Sequence, residues 1–199
     1  MKTNAKILVW VLLTVVLVFT SATGIISWNF RKMARANAEK LAMSIAQQSA
    51  LSIKADLATD MEVTRTIANT FQNFNEIPEN LRDSIYDHIL LEQLRSNPMY
   101  LSVWTSWELS AIDPNWTKNF GRKKIEVYLK SGIPEIKKDS ANLTGDLIGS
   151  PYYQAKITGT QAFTPPYYYS YNNGEQSDIL MASVATPIMY KNKFVGLVG

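Results

Sequence analysis

The sequence contains no cysteine and a single histidine, His88. Without cysteine the chain has no disulfide, no thiolate nucleophile and none of the thiolate ligands that most zinc sites use. A single histidine cannot form a histidine pair for a metal ion, and the chain contains no thiol that this histidine could activate. The carboxylates Asp83 and Asp87 lie four residues apart on a helix that the pattern places at the surface. We therefore expect no catalytic residue, no metal, no cofactor and no enzyme activity in this chain.

The chain also has little excess of charge of either sign. The 20 basic and 17 acidic side chains leave a formal net charge of +3. The basic residues are spread along the chain except for two short runs, at residues 122–124 and 137–138. Runs of this length are typical of a solvated turn or a strand edge, so we expect no nucleic-acid partner.

What the sequence does contain is a run of 24 residues, 7–30, without a charged side chain. As a helix this run would be roughly 36 Å long, enough to cross the ~30 Å hydrocarbon core of a membrane. Trp10 and Trp28 lie near its two ends, where indole rings favour the headgroup layer. We predict a transmembrane helix at residues 7–30, preceded by a short N-terminal segment at residues 1–6.

A cleaved signal peptide is the alternative, with small residues at 20–22 as its cleavage site. The apolar run continues beyond that site to Phe30, which favours an uncleaved anchor. The basic residues do not orient the span, because two lysines precede it while Arg31, Lys32 and Arg35 follow it.

Residues 31–76 contain no proline and no glycine and are rich in good helix formers. Leu41, Ile45, Ile53 and Leu57 recur at intervals of four or eight, which predicts a long amphipathic stalk helix of roughly 60 Å. Its apolar stripe is not a clean heptad. The pattern is compatible with a dimer seam or with a helix that packs on its own domain.

Residues 77–199 predict an α+β module with an antiparallel sheet. Asn80 is a candidate cap for a helix that ends at 97–98, and proline and glycine bound a short helix at 151–158. Strands are expected at residues 100–108, 125–129 and 179–190, and from Phe194 onward. The last strand reads as unfinished, so we expect this chain to be part of a longer protein.

Four segments carry a resemblance to a known family. Residues 150–156 look like its Arg-x-Trp-Tyr-x-x-Ala block, and residues 165–167 look like its Pro-Tyr element. Residues 178–188 and 193–199 look like its next two strands. Behind an apolar span and a long helix, this order resembles the double Cache sensor domain of bacterial chemoreceptors and sensor histidine kinases. The resemblance covers the span, the stalk helix and an incomplete, PAS-like membrane-distal module at residues 77–199.

The resemblance implies a receptor of the cytoplasmic (inner) membrane, with residues 1–6 inside and the module outside. It implies a small-molecule ligand, a homodimer formed through the stalk helix, and a second module, a second span and an output domain beyond Gly199. A methyl-accepting chemotaxis receptor is the expected output type, and a sensor histidine kinase is the alternative. A membrane-anchored structural coiled-coil protein without a ligand is the alternative from another class.

In family members that bind amino acids, an arginine of the first block binds the ligand carboxylate and acidic residues bind its ammonium group. Here Ser150 occupies the arginine position, Tyr152 the tryptophan position, and Tyr169 or Ser170 an acidic position. The resemblance therefore implies a ligand other than a standard amino acid.

Aromatic rings with hydroxyl groups suit an uncharged, cyclic or cationic ligand. The candidate ligand-binding residues are Trp104, Ser150, Tyr152, Tyr153, Tyr167 and Tyr169. The sequence leaves open whether Tyr153 and Trp107 belong to the core or to the pocket. Residues 167–171 are a candidate lid over the site.

Overall fold

The structure is a computed structural model that describes residues 3–170 and 179–199. The chain divides into two units, residues 1–55 and 56–199. The helices are α1 (Thr3–Phe71), α2 (Glu79–Ser96), α3 (Leu109–Ile112) and α4 (Pro151–Thr158), with a 3₁₀ turn at Phe74–Glu76. The strands are β1 (Ser102–Glu108), β2 (Arg122–Lys130), β3 (Ile133–Ala141), β4 (Ala162–Tyr169), β5 (Ile179–Tyr190) and β6 (Lys193–Val198).

The first unit is the N-terminal part of α1. Within the described residues, α1 is the one helix long and apolar enough to cross a membrane. Its hydroxyl groups donate to carbonyls one turn back, as Thr20 does to Val16 (2.8 Å) and Ser21 to Leu17 (2.7 Å). These polar groups therefore need no water, as a lipid environment requires. The helix continues through the predicted stalk and ends at Phe71, five residues before the predicted limit at residue 76.

The second unit contains a six-stranded antiparallel sheet with the order β3-β2-β1-β6-β5-β4. The predicted α+β class is confirmed. β5 covers the predicted residues, and β6 begins one residue before the predicted Phe194. The predicted cap for α2 is wrong, because Asn80 lies inside a helix that starts at Glu79, directly after Pro78.

Both edge strands were absent from the sequence prediction. β3 carries mostly charged and polar side chains, and it is exposed along most of its length. β4 contains Pro165 and Pro166 at an irregularity in its pairing with β5. Proline is tolerated in a sheet on an edge strand or at a bulge, because it has no N–H to donate.

One face of the sheet carries the main core. Trp107 of β1 is buried against Phe71 of α1, Phe74 of the 3₁₀ turn, and Tyr86 and Leu90 of α2. The Trp107 and Tyr86 rings are stacked at 5.1 Å, and the Phe74 ring lies 5.4 Å from Trp107. The alternation of side chains along β1 thus places Trp107 inward, where it packs against α1 and α2.

The opposite face is covered in part by α4. Tyr152 and Ala155 of this helix form a second buried cluster with Ala185 and Leu197. The helix begins as the sequence predicts, with proline in its first turn. It ends at Gly159, whose φ of 64° is the left-handed conformation that favours glycine at this position.

Replacing Trp107 with alanine should lower the free energy of unfolding by about 3–5 kcal/mol, because it opens a large cavity among the core rings. Urea unfolding of the detergent-solubilised chain, followed by near-UV circular dichroism, measures this. Met99→Ala is the control, since Met99 is 90% exposed. A loss for Trp107→Ala no larger than that of the control would contradict the packing described here.

Candidate ligand-binding site

Side chains of β1 and β2 that face away from the main core form a polar surface. Trp104 lies directly opposite Glu126, Ser106 opposite Lys124, and Glu108 opposite Arg122. Partners in such antiparallel pairs project from the same side of a sheet. We call this surface the polar face; its members are Trp104, Ser106, Glu108, Arg122, Lys124 and Glu126.

At one end of the polar face, α4 satisfies a buried carboxylate. The Tyr152 hydroxyl donates to Glu108 Oε1 at 2.6 Å, and Lys156 Nζ donates to Glu108 Oε2 at 2.9 Å. Lys156 also donates to Asp146 Oδ2 at 2.8 Å. The Arg122 guanidinium lies 4.2 Å from the centre of the Tyr152 ring. Glu108, only 3% exposed, thus has a donor on each carboxylate oxygen.

Burial of Tyr152, together with the charge and hydrogen bond of Glu108, raises the pKa of the Tyr152 hydroxyl well above its usual value. The hydroxyl therefore stays protonated and acts as a donor. These contacts fix α4 on the sheet, since breaking either one leaves the Glu108 charge incompletely compensated.

In the middle of the polar face, the carboxylate of Glu126 is in a different situation. Its residue is 7% exposed. Among the residues the structure describes, its side chain has no hydrogen bond and no ion pair within 4.0 Å. Burial raises the pKa of Glu126, although Lys124 and Lys137 act to lower it. Lys124 itself pairs with Asp139, at 3.6 Å.

The end of β4 approaches this part of the polar face. Tyr167 and Tyr169 have ring centres 6.4 Å apart in an edge-to-face arrangement. Burial and the nearby carboxylates of Glu126 and Asp139 raise the pKa of Tyr169 to about 12. Tyr169 is therefore close enough to Glu126 to sense its charge, although β4 and β2 are not neighbours in the sheet.

The structure brings together some of the residues predicted for the site and separates others. Trp104 and Tyr169 both lie beside Glu126. Tyr167 shares a hydrogen bond of 2.7 Å with Ser183 on the neighbouring strand β5.

The predicted residues of α4 have local structural contacts. Ser150 caps α4, accepting from the Tyr153 N–H at 3.2 Å, and Tyr152 is bound in the core to Glu108. Tyr153 is half-buried on α4. Tyr171 of the candidate lid and Asp178 lie outside the described residues. The binding roles of all six predicted residues stay predictions.

The sequence prediction missed Arg122, Lys124 and Glu126. The sequence does contain a signal for them. In residues 122–129 these three alternate with Lys123, Ile125 and Val127, as side chains on opposite faces of one strand do. The strand was instead predicted to begin at Ile125, and residues 122–124 were interpreted as a surface charge run. This charged face is half-buried at Arg122 and Lys124 and buried at Glu126, which departs from the usual association of charge with solvent.

A cavity of about 260 Å³ lies elsewhere in the second unit, between α1 and the ends of β1 and β5. Trp104 lines it together with Val63, Val103 and Val184. Asp60 is the only charged side chain among its described lining residues, and it already accepts a hydrogen bond of 2.8 Å from the Tyr100 hydroxyl. The cavity is therefore largely apolar and has no uncompensated charge.

Hydrogen bonds also connect the loop after α4 to α1 within the second unit. Gln161, just after α4, donates to Thr186 Oγ1 at 2.8 Å and to the Met61 carbonyl at 3.0 Å. Thr186 shares a buried hydrogen bond of 2.7 Å with Thr64 of α1, and Arg65 donates to Gln161 Oε1 at 2.6 Å. We call these five residues the Gln161 junction. Through it, the loop after α4, strand β5 and helix α1 share one set of contacts.

No family model matches the sequence, and a search of curated proteins found no significant match. Solved structures do match. The extracellular domain of the candidate histidine kinase mmHK1S-Z3 is 22% identical, with a TM-score of 0.54 over 74% of this chain and 52% of that one. The extracellular domain of the candidate histidine kinase mmHK1S-Z2 is 20% identical, with a TM-score of 0.52 over 74% of this chain and 53% of that one.

A structure described as methyl-accepting chemotaxis protein X is 19% identical, with a TM-score of 0.56 over 82% of this chain and 62% of that one. The chain thus spans roughly half to three fifths of the length of these structures. The resemblance inferred from the sequence is confirmed for the fold: this chain has the fold of Cache-type extracellular sensor domains.

Proposed function

We propose that this chain is the sensor region of a transmembrane signal receptor that binds a small molecule outside the cytoplasmic membrane. The observation that carries the proposal is the polar face, where the buried carboxylate of Glu126 lies beside Trp104 and Tyr169. A buried charged group with a perturbed pKa, next to aromatic rings, is typical of a binding site.

The fold and the apolar helix support the location. Residues 1–6 would lie inside, residues 7–30 would span the membrane, residues 31–76 would form the stalk and residues 77–199 would form the sensor module. The similar structures include extracellular domains of candidate histidine kinases and a chemotaxis protein. We favour a methyl-accepting chemotaxis receptor and keep a sensor histidine kinase as the alternative.

Signalling by such a receptor requires a coupling free energy between ligand and helix position. The Gln161 junction gives a physical route for it. A ligand on the polar face that shifts α4 also shifts the loop carrying Gln161, and Gln161 is bonded to the Met61 carbonyl of α1. In a dimer formed through residues 31–76, such a shift would change how the two α1 helices pack.

A thermal-shift screen of the full chain in detergent against a metabolite panel tests ligand binding. A true ligand stabilises the folded state by about 2.7 kcal/mol at a hundredfold excess over its dissociation constant. We expect Trp104→Ala and Tyr169→Ala to abolish the shift of the melting midpoint. Tyr168→Ala is the matched control, since Tyr168 is the chain neighbour of Tyr169 and is 70% exposed.

A folded chain that no panel compound stabilises would argue against a sensor. It would favour a membrane-anchored structural protein whose long helix forms a coiled coil.

Removing the junction should separate binding from signalling. The absence of native cysteine allows single cysteines, such as Leu41→Cys or Ile45→Cys, to report dimer packing by cross-linking rate. We expect ligand to change this rate, and Gln161→Ala to reduce the change while the thermal shift by ligand remains.

Thr160→Ala is the control for this experiment, because the Thr160 side chain is exposed and, within the described part of the chain, bonds only to Thr158. An undiminished change of cross-linking rate in Gln161→Ala would exclude the junction as the route. No change of rate in the parent chain with a bound ligand would exclude the coupling itself.

A further inference from the structure

A second cavity lies on the main-core side of the sheet, between α2 and the strands β1 and β2. Its volume of about 180 Å³ is room for roughly six water molecules at about 30 Å³ each. We call it the α2 cavity. The side chains in its lining that can form hydrogen bonds are those of Glu79, Arg82, Asp83, Tyr86, Trp107 and Lys123.

Two hydrogen-bond donors in this lining are buried without a partner. Trp107 is 1% exposed and Tyr86 is 3% exposed. In the part of the chain that the structure describes, neither the Trp107 Nε1–H nor the Tyr86 hydroxyl has a hydrogen-bond partner. The two rings are stacked at 5.1 Å and both border the cavity. Such donors are rare in folded proteins, because each loses its hydrogen bond to water on burial.

Both donors require an acceptor. An indole N–H can only donate. Burial raises the pKa of Tyr86 to about 12, so its hydroxyl stays protonated at neutral pH and can also donate. The charges of Arg82 and Asp83 act on this pKa in opposite directions, which places both of them near the hydroxyl. A molecule in the cavity that satisfies the two donors must therefore carry acceptor oxygens.

The charged side chains around the cavity leave Arg82 as the cation available to such a molecule. Lys123 donates to both oxygens of Asp83, at 2.8 and 2.7 Å, so these two charges compensate each other. Glu79 is exposed, and water and salt screen its charge. Arg82 is half-buried and donates from Nε to the Ile77 carbonyl at 2.9 Å. Its terminal nitrogens make no hydrogen bond or ion pair to any residue that the structure describes.

We propose that the α2 cavity binds a small monocarboxylate, whose oxygens accept from Tyr86 and Trp107 while Arg82 provides the opposite charge. A planar carboxylate with two oxygens matches both the guanidinium fork and a pair of neutral donors. A dianion such as phosphate fits less well, because Asp83 and Glu79 line the same cavity. The bound carboxylate would connect α2 to β1.

This site lies on the opposite side of the sheet from the polar face, and the inference does not depend on the proposed sensor function. Ordered water is the alternative occupant, since water also accepts from buried donors. Water carries no charge, so a cavity that holds only water gives Arg82 no role in binding. The charge of Arg82 therefore separates the two occupants.

The indole signals of the ¹⁵N-labelled full chain in detergent report directly on Trp107. The chain has five tryptophans, and the Trp107 signal is the one that Trp107→Phe removes. If that variant does not fold, Tyr86→Phe identifies the same signal by shifting it, because Tyr86 stacks on Trp107. We expect sodium acetate at pH 7.5 to move this signal downfield, because the N–H gains a charged acceptor. Acetamide and sodium chloride should leave it in place.

Two substitutions test the other members of the site. Arg82→Gln and Tyr86→Phe should each weaken acetate binding about tenfold in the same titration, since each removes a contact to a charged oxygen. Arg95→Gln is the matched control, because Arg95 is an exposed arginine of the same helix and pairs with Glu92. It should leave acetate binding unchanged.

Tyr86→Phe has a second readout that needs no ligand. It removes a buried donor without a partner and keeps the stacked ring. In the absence of acetate its melting midpoint should therefore equal or exceed that of the parent chain. A lower midpoint would show that the hydroxyl serves the fold through ordered water, and it would overturn the inference.

Three results of the titration would also overturn it. One is a Trp107 signal that stays in place at every acetate concentration at which the chain is folded, which would leave water as the occupant. Another is an acetate response that acetamide matches or that survives Arg82→Gln. The third is an equal loss of binding in Arg95→Gln, which would mean a general effect of charge.

Discussion

The strict alternation of side chains along β1 and β2 is the constraint on which the rest of the second unit depends. Val103, Thr105 and Trp107 face the helices α1 and α2, while Trp104 and Glu108 face α4 and the polar surface. A register slip of one residue would turn Trp107 out and push Glu108 into the aromatic core. Core and candidate site are therefore two sides of the same strands, and neither can form without the other.

The two buried glutamates of the polar face contribute to the free energy of folding with opposite signs. Glu108 is matched by Tyr152 and Lys156, so its burial holds α4 on the sheet. Glu126 is buried without a direct partner among the described residues, so its burial opposes folding. Such a local cost is expected where a protein keeps a group for binding.

The parts of the fold that the sequence predicts well are those with strong local signals. The apolar run at residues 7–30, the proline and glycine around α4, and the apolar run of β5 each determine their element locally. The two edge strands have no such signal, because an edge needs few apolar side chains. They exist because β2 and β5 offer them a hydrogen-bonding partner.

The candidate site was harder to predict for a related reason. Trp104 and Tyr169 are aromatic residues, which a sequence readily offers as candidates for a binding site, and the structure places both near Glu126. Glu126 itself is one acidic residue among 17, and only the sheet register shows that it is buried opposite Trp104. Tyr152 occupies the tryptophan position of the block that residues 150–156 resemble, but its hydroxyl is bound to Glu108 in the core. Sequence patterns do not directly encode which residues pair across strands, and this pairing is what places Glu126 opposite Trp104.

The prolines of β4 affect more than the shape of that strand. β4 is an outer strand of the sheet, and Pro165 and Pro166 leave two successive positions of it without an N–H donor. An outer strand normally presents a row of donors and acceptors that can recruit a strand from another molecule. Here that row is interrupted next to the tyrosines of the candidate site. The tyrosine end of the strand is therefore less able to recruit a strand from another molecule by edge-to-edge pairing.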